Sequence, residues 1–169
     1  MQYLIAAVVL IGLLCMVNML LTIGVIRRLR RESSPSMPAE GLLPGERVPE
    51  FAAMTTSGEP ISGELLGAPA LVGFFSQGCQ PCKDLLPLFV ERARGTSDGV
   101  LAVVVAGPSE NPEADVERLA QVAQVVKEAP QGPLQRAFKV SGYPTVITIG
   151  AGDTVVSSGH IMPDEVTAP

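Results

Sequence analysis

Ala70-Leu71-Val72-Gly73-Phe74-Phe75-Ser76-Gln77-Gly78-Cys79-Gln80-Pro81-Cys82 is the stretch that decides the reading of this chain. Its first seven residues are a compact apolar run, the pattern of a strand buried on both faces. A short turn follows, and then two cysteines separated by Gln80 and Pro81. Pro81 suits the first turn of a helix. From Pro81 to Arg94, Leu85, Leu86, Leu88, Phe89 and Val90 recur at helical spacing. Two thiols so spaced close a disulfide with little rearrangement. Cys79 then meets the unpaired N–H groups and dipole of the helix start, which favour its thiolate. Such motifs pull a thiol below its ordinary value of about 8.5. Cys79 is therefore the expected attacking sulfur, and Cys82, one turn inside, the sulfur that resolves the mixed disulfide.

A C-x-x-C pair also serves zinc, but a zinc site needs about four ligands. The only other cysteine is Cys15, far toward the N-terminus, and His160 is the single histidine. No metal is expected at the pair, and His160 reads as a solvated residue near a strand end. A purely structural bridge across one helical turn closes too small a loop to stabilise much. About 60 residues beyond the cysteines stands Gly142-Tyr143-Pro144-Thr145. A proline there belongs at the start of a strand. A cis Tyr143–Pro144 bond would hold the backbone beside the cysteines, leaving Tyr143 to pair with an incoming peptide. An ordinary trans loop proline is the alternative. Tyr143 and Pro144 are thus the candidate substrate-binding residues.

The flanking pattern alternates strand and helix. Phe51–Met54, a Ser57-Gly58 turn and Pro60-Ile61 predict a short hairpin. Val100–Ala106 is a second buried strand, and Pro112 begins a helix with acids in its first turns. Val122–Glu128 fits a helix extension or a strand. Pro133–Val140 predicts a short helix, and Tyr143–Ile149 with Thr154–Ser157 a terminal hairpin. The fold class is α/β with a mixed central sheet and an N-terminal hairpin extension.

The N-terminal part differs in kind. Tyr3 to Ile26 carries no formal charge and is long enough as a helix to cross a bilayer. Its start lacks the basic residues of a cleaved signal, and Arg27, Arg28, Arg30 and Arg31 follow it. Residues 1–31 are thus expected as a membrane anchor with a basic flank, embedded through residues 3–26. Residues 32–45, rich in Ser, Pro and Glu, are expected as a flexible linker, and 46–169 as the folded α/β domain, which the resemblance given below makes thioredoxin-like. Leu14 is too bulky for lipidation at Cys15, which reads as an apolar thiol. Beyond residue 31 eight basic residues face all 17 acidic ones, a poor balance for nucleic-acid binding.

The order strand, C-x-x-C, helix, strand, helix, G-x-P-T and hairpin resembles the thioredoxin fold. Leu43–Phe51, Ser57–Ser62 and Gly67–Val72 resemble the N-terminal extension of the peroxiredoxin/TlpA-like branch. Membrane-tethered thiol–disulfide oxidoreductases of the TlpA type, including those of methylamine dehydrogenase maturation, are the most similar group. The resemblance covers roughly residues 43–160. It implies Cys79 as nucleophile, Cys82 as resolving cysteine and Pro144 as the cis-proline. It implies no cofactor beyond the redox-active Cys79–Cys82 disulfide. The implied partners are proteins with disulfides and an upstream electron donor.

Three departures stand out. Gly78 precedes Cys79 where the family often has an aromatic, and Leu71–Phe75 carries no buried acid. Nine residues follow His160, where a final amphipathic helix usually packs. That helix is expected short or missing, with one sheet face exposed or covered by a partner. Pro81 leans toward the reducing direction. The arginine flank places the domain in the cytoplasm, whereas family habit places it outside. Two rival functions share the residues. In a thiol peroxidase, Ser76 would replace the motif threonine, while Val72 stands where its proline belongs. In a copper-delivery module, Cys79, Cys82 and His160 would be ligands, although such proteins on this fold space their cysteines by three residues.

Overall fold

The computed structural model describes residues 41–163, together with Tyr3, Gly12, 14–16, Asn18 and Met19. The chain divides into two units, Met1–Pro38 and Ala39–Pro169. In the first, the seven described residues are helical and exposed. Among the described residues no helix is long and apolar enough to cross a membrane. Most of the expected anchor at 3–26, its arginine flank, and linker residues 32–40 lie outside the described residues.

The second unit is built on a five-stranded sheet. Its strands are β3 (Ala70–Ser76), β4 (Gly99–Val105), β5 (Gln124–Glu128), β6 (Thr145–Gly150) and β7 (Thr154–Gly159). They lie in the order β5-β4-β3-β6-β7, with β3, β4 and β5 parallel and β6 and β7 antiparallel to their neighbours. The sheet is mixed, as expected. β4 shows why the sequence reads as unbroken apolar runs. Leu101, Val103 and Val105 enter the core on one face, while Val100, Ala102 and Val104 enter the core on the other. The same rule decides the ambiguous segment before Glu128. Val125 and Val126 are both buried, one to each core, as a strand requires and a single helix face does not allow.

One core lies beneath the cysteine-bearing helix α2 (Gln80–Arg94) and α3 (Glu113–Ala120), which bury Leu85, Leu86, Phe89, Val116 and Leu119. The opposite core is closed by α4 (Pro133–Ala137) with Phe138, and by Phe51, Ile61 and Leu66. The expected hairpin is present as β1 (Ala52–Met54) and β2 (Pro60–Ser62), antiparallel. A four-residue helix, α1 (Gly63–Leu66), follows; the sequence reading did not anticipate it. Ser62 caps it by accepting the Leu65 amide at 3.3 Å.

Leu42 and Gly45, within the stretch expected as linker, pack on this unit. Leu42 is buried, and the Gly45 amide donates to the Val155 carbonyl at 2.8 Å. Residues 45–48 run along β7, with Val155 donating to Glu46 and Val48 to Asp153. Across the sheet, Thr56 donates to Val125 on β5 at 2.7 Å. The final-helix expectation falls largely on residues 164–169, outside the described residues; Met162 packs against the α2 core.

Candidate active site

The β3-to-α2 turn delivers the cysteines to the end of the sheet. Gly78 has φ +76°, a left-handed conformation that L side chains avoid, and a Cβ there would meet nothing within 4 Å. The departure at this position therefore has a local cause: the turn requires a glycine. Cys79 is the N-cap of α2, and Gln80 and Pro81 form the exposed first helical residues.

The two sulfurs are not equivalent. They are joined in a disulfide with Cα atoms 5.2 Å apart. Cys82 is 3% exposed and packed in the core, whereas Cys79 is only partly buried. The Cys82 amide donates to Cys79 Sγ at 3.2 Å, and this N–H stabilises negative charge on that sulfur when the bond opens. Cys79 Sγ also lies 3.6 Å from the Tyr143 carbonyl oxygen. The Tyr143–Pro144 bond is cis, and Pro144 is buried at the entry to β6. Two segments 64 residues apart in sequence thus meet at one sulfur.

Tyr143 is partly buried and touches both cores. Burial pushes its phenol up, and the Glu128 carboxylate adds to the effect. Its hydroxyl donates to Gln135 Oε1. The Ala68–Pro69 bond is also cis, a feature the sequence reading left out.

His160 is not the free surface residue expected. It is partly buried, with Nδ1 2.5 Å from the Pro144 carbonyl oxygen. A carbonyl only accepts, so Nδ1 carries the proton. The register explains the contact, since Val146 pairs with Gly159 and places His160 beside the start of β6. Among the described residues, no three of His, Cys, Asp and Glu gather as a ligand set. The sequence reading also missed Glu128 and Gln135. An acid closing a strand five residues before Pro133 was the available signal for Glu128, whereas Gln135 gave none.

The sequence matches no protein-family model and no curated protein. Similar solved structures exist. A thio-disulfide isomerase from Thermus thermophilus aligns at TM-score 0.54 and 22% identity, over 73% of this chain and 89% of its own. A chain assigned as a DsbE thiol:disulfide interchange protein from Chlorobium tepidum aligns at 0.52 and 25%, over 69% and 84%. A secreted Mycobacterium tuberculosis disulfide oxidoreductase aligns at 0.51 and 21%, over 67% and 87%. The fold is thioredoxin-like. Its cysteine pair stands at disulfide distance within that fold.

Proposed function

We propose that the chain is a membrane-anchored thiol–disulfide oxidoreductase that reduces or exchanges disulfides in partner proteins. The observation that carries this reading is the asymmetry of the pair: a partly exposed Cys79 whose sulfur accepts an amide, and a buried Cys82 behind it.

In the reduced protein, Cys79 thiolate attacks one sulfur of a substrate disulfide. A mixed disulfide forms, and the other substrate sulfur leaves as thiolate. Cys82, deprotonated, then attacks Cys79 Sγ. The mixed disulfide breaks, the second substrate sulfur leaves, and Cys79–Cys82 forms. Two electrons pass to the substrate, and a dithiol electron donor restores the pair by the reverse exchange. Tyr143 contributes backbone groups against which an extended peptide docks, with Pro144 fixing their approach to Cys79. The chemistry needs no cofactor beyond the disulfide. The uncharged run at 3–26 supports the anchor, and labelling Cys79 with an impermeant thiol reagent in intact and lysed cells identifies the side of the domain.

Full-length protein with dithiothreitol as donor is expected to reduce insulin disulfides, and Cys79→Ser to abolish this. Cys82→Ser is expected to trap substrates as mixed disulfides, because nothing resolves them. Trapping by Cys79→Ser instead would reverse the roles, and equal reduction rates for wild type and Cys79→Ser would sink the assignment.

A further inference from the structure

Tyr143 is held from behind by a chain of part-buried hydrogen bonds that takes no part in exchange itself. Gln135, on α4, is 2% exposed. Its Nε2 donates to Glu128 Oε2 at 2.9 Å and to the Ala129 carbonyl at 2.8 Å. Its Oε1 accepts the Gln131 amide at 3.0 Å and the Tyr143 hydroxyl. Both N–H donors and both lone pairs of the side-chain amide are thus used. A flipped amide would set its NH2 against the Gln131 N–H and its oxygen against a carboxylate and a carbonyl, so the orientation is fixed.

Glu128 is fixed in turn. It accepts the Leu134 amide at 2.7 Å and the Gln135 amide at 3.3 Å. Gly132 makes room for it, since a Cβ there would collide with the Glu128 carboxylate. The consequence runs toward the cysteines. With Gln135 Oε1 able only to accept, Tyr143 must donate, and one orientation of its ring is selected. The same residue presents its carbonyl 3.6 Å from Cys79 Sγ.

We propose that Gln135, oriented by Glu128, is a positioning residue for protein-substrate docking, setting the backbone of Tyr143 through the Tyr143 hydroxyl. The proposal rests on the thiol-exchange reading above. Packing alone does not supply this: a Phe ring fills the same space between the two cores without a fixed rotation of the docking strand. The net worth of one such hydrogen bond, passed on to docking in full, sets the effect at up to about a threefold to tenfold weaker docking.

The test uses the full chain with dithiothreitol, and compares insulin with a small aromatic disulfide. Gln135→Leu and Tyr143→Phe are each expected to raise KM for insulin about threefold to tenfold, with kcat held within about twofold. The double variant is expected to be no worse than Gln135→Leu alone, because the Tyr143–Gln135 bond that Tyr143→Phe removes is already absent there. Turnover of the small disulfide is expected to fall less than that of insulin. Should Gln135→Leu fail to fold, Tyr143→Phe carries the test alone. Unchanged KM in Tyr143→Phe, multiplying effects in the double variant, or a parallel fall on both substrates overturns the inference and leaves the exchange reading standing. Wild type active only on the small disulfide also overturns the docking role. Wild type inactive on both sinks the exchange reading and this inference with it.

Discussion

Replacing Gly73 by Ala tests how the active-site helix is seated. Gly73 lies at the middle of β3, between Ala102 on β4 and Val146 on β6. A Cβ built there falls 2.6 Å from Phe89 Cε2, 2.7 Å from Phe75 Cε2 and 2.9 Å from Phe89 Cζ. Ordinary carbon contacts are about 3.5–4.0 Å, so the rings or α2 must give by roughly 1 Å. Neither ring has room. Phe89 is fully buried and Phe75 is 2% exposed, and the two pack edge to face with centroids 5.1 Å apart.

Overpacking of this kind costs about 1–3 kcal/mol. Restricting the unfolded chain returns about 0.4–1 kcal/mol. The net expectation for Gly73→Ala is a loss of about 1–2 kcal/mol, a fall in Tm of roughly 3–10 °C for a domain of this size. Circular dichroism of the oxidised protein reads it. Phe89→Leu in the same chain is expected to recover about 1 kcal/mol of coupling, because the new methyl occupies space that the ring vacates. An unchanged or higher Tm, or simple additivity of the two substitutions, would refute the reasoning.

Two further outcomes follow from local geometry. Gly78→Ala is expected to cost about 1–2 kcal/mol through its left-handed backbone alone, read by urea unfolding; no loss would show that the turn rearranges freely. Tyr143 is raised above the ordinary phenol value of about 10. Its proton is held more tightly folded than unfolded, so its contribution is complete below about pH 10 and is lost as pH rises through the folded value. Tyr3 and Tyr143 are the only tyrosines. In the 295 nm absorbance titration, Tyr143→Phe is expected to remove phenolate absorbance that develops above about pH 10, and an unchanged curve there would contradict the assignment.

The strands were legible wherever burial on both faces left no polar interruption, as in Ala70–Ser76, which matches residue for residue. The active-site helix was legible through Pro81 and its apolar stripe. Val122–Glu128 was not, because two adjacent valines satisfy either period until a neighbouring strand supplies the second face. α1 is too short to show periodicity, and only its Ser62 cap marks it. Within the candidate site, the cysteines and Gly142–Thr145 announced themselves by spacing. His160 and Gln135 did not, because their partners come from register: a hairpin folds His160 onto Pro144, and α4 turns Gln135 toward Tyr143.

The segments alongside the outer strands bear on what the domain can tolerate in its surroundings. An outer strand with free amides and carbonyls is a template for any extended chain that meets it. Here the 45–48 segment occupies groups along β7, and the loop after β1 occupies a group on β5. On the exchange reading, the clients are extended, sulfur-bearing chains, the kind most prone to add themselves to a raw margin. Occupying those groups narrows the places where a client could add itself along the sheet, and on the same reading favours the backbone at Tyr143, beside the Cys79 sulfur, as the landing point.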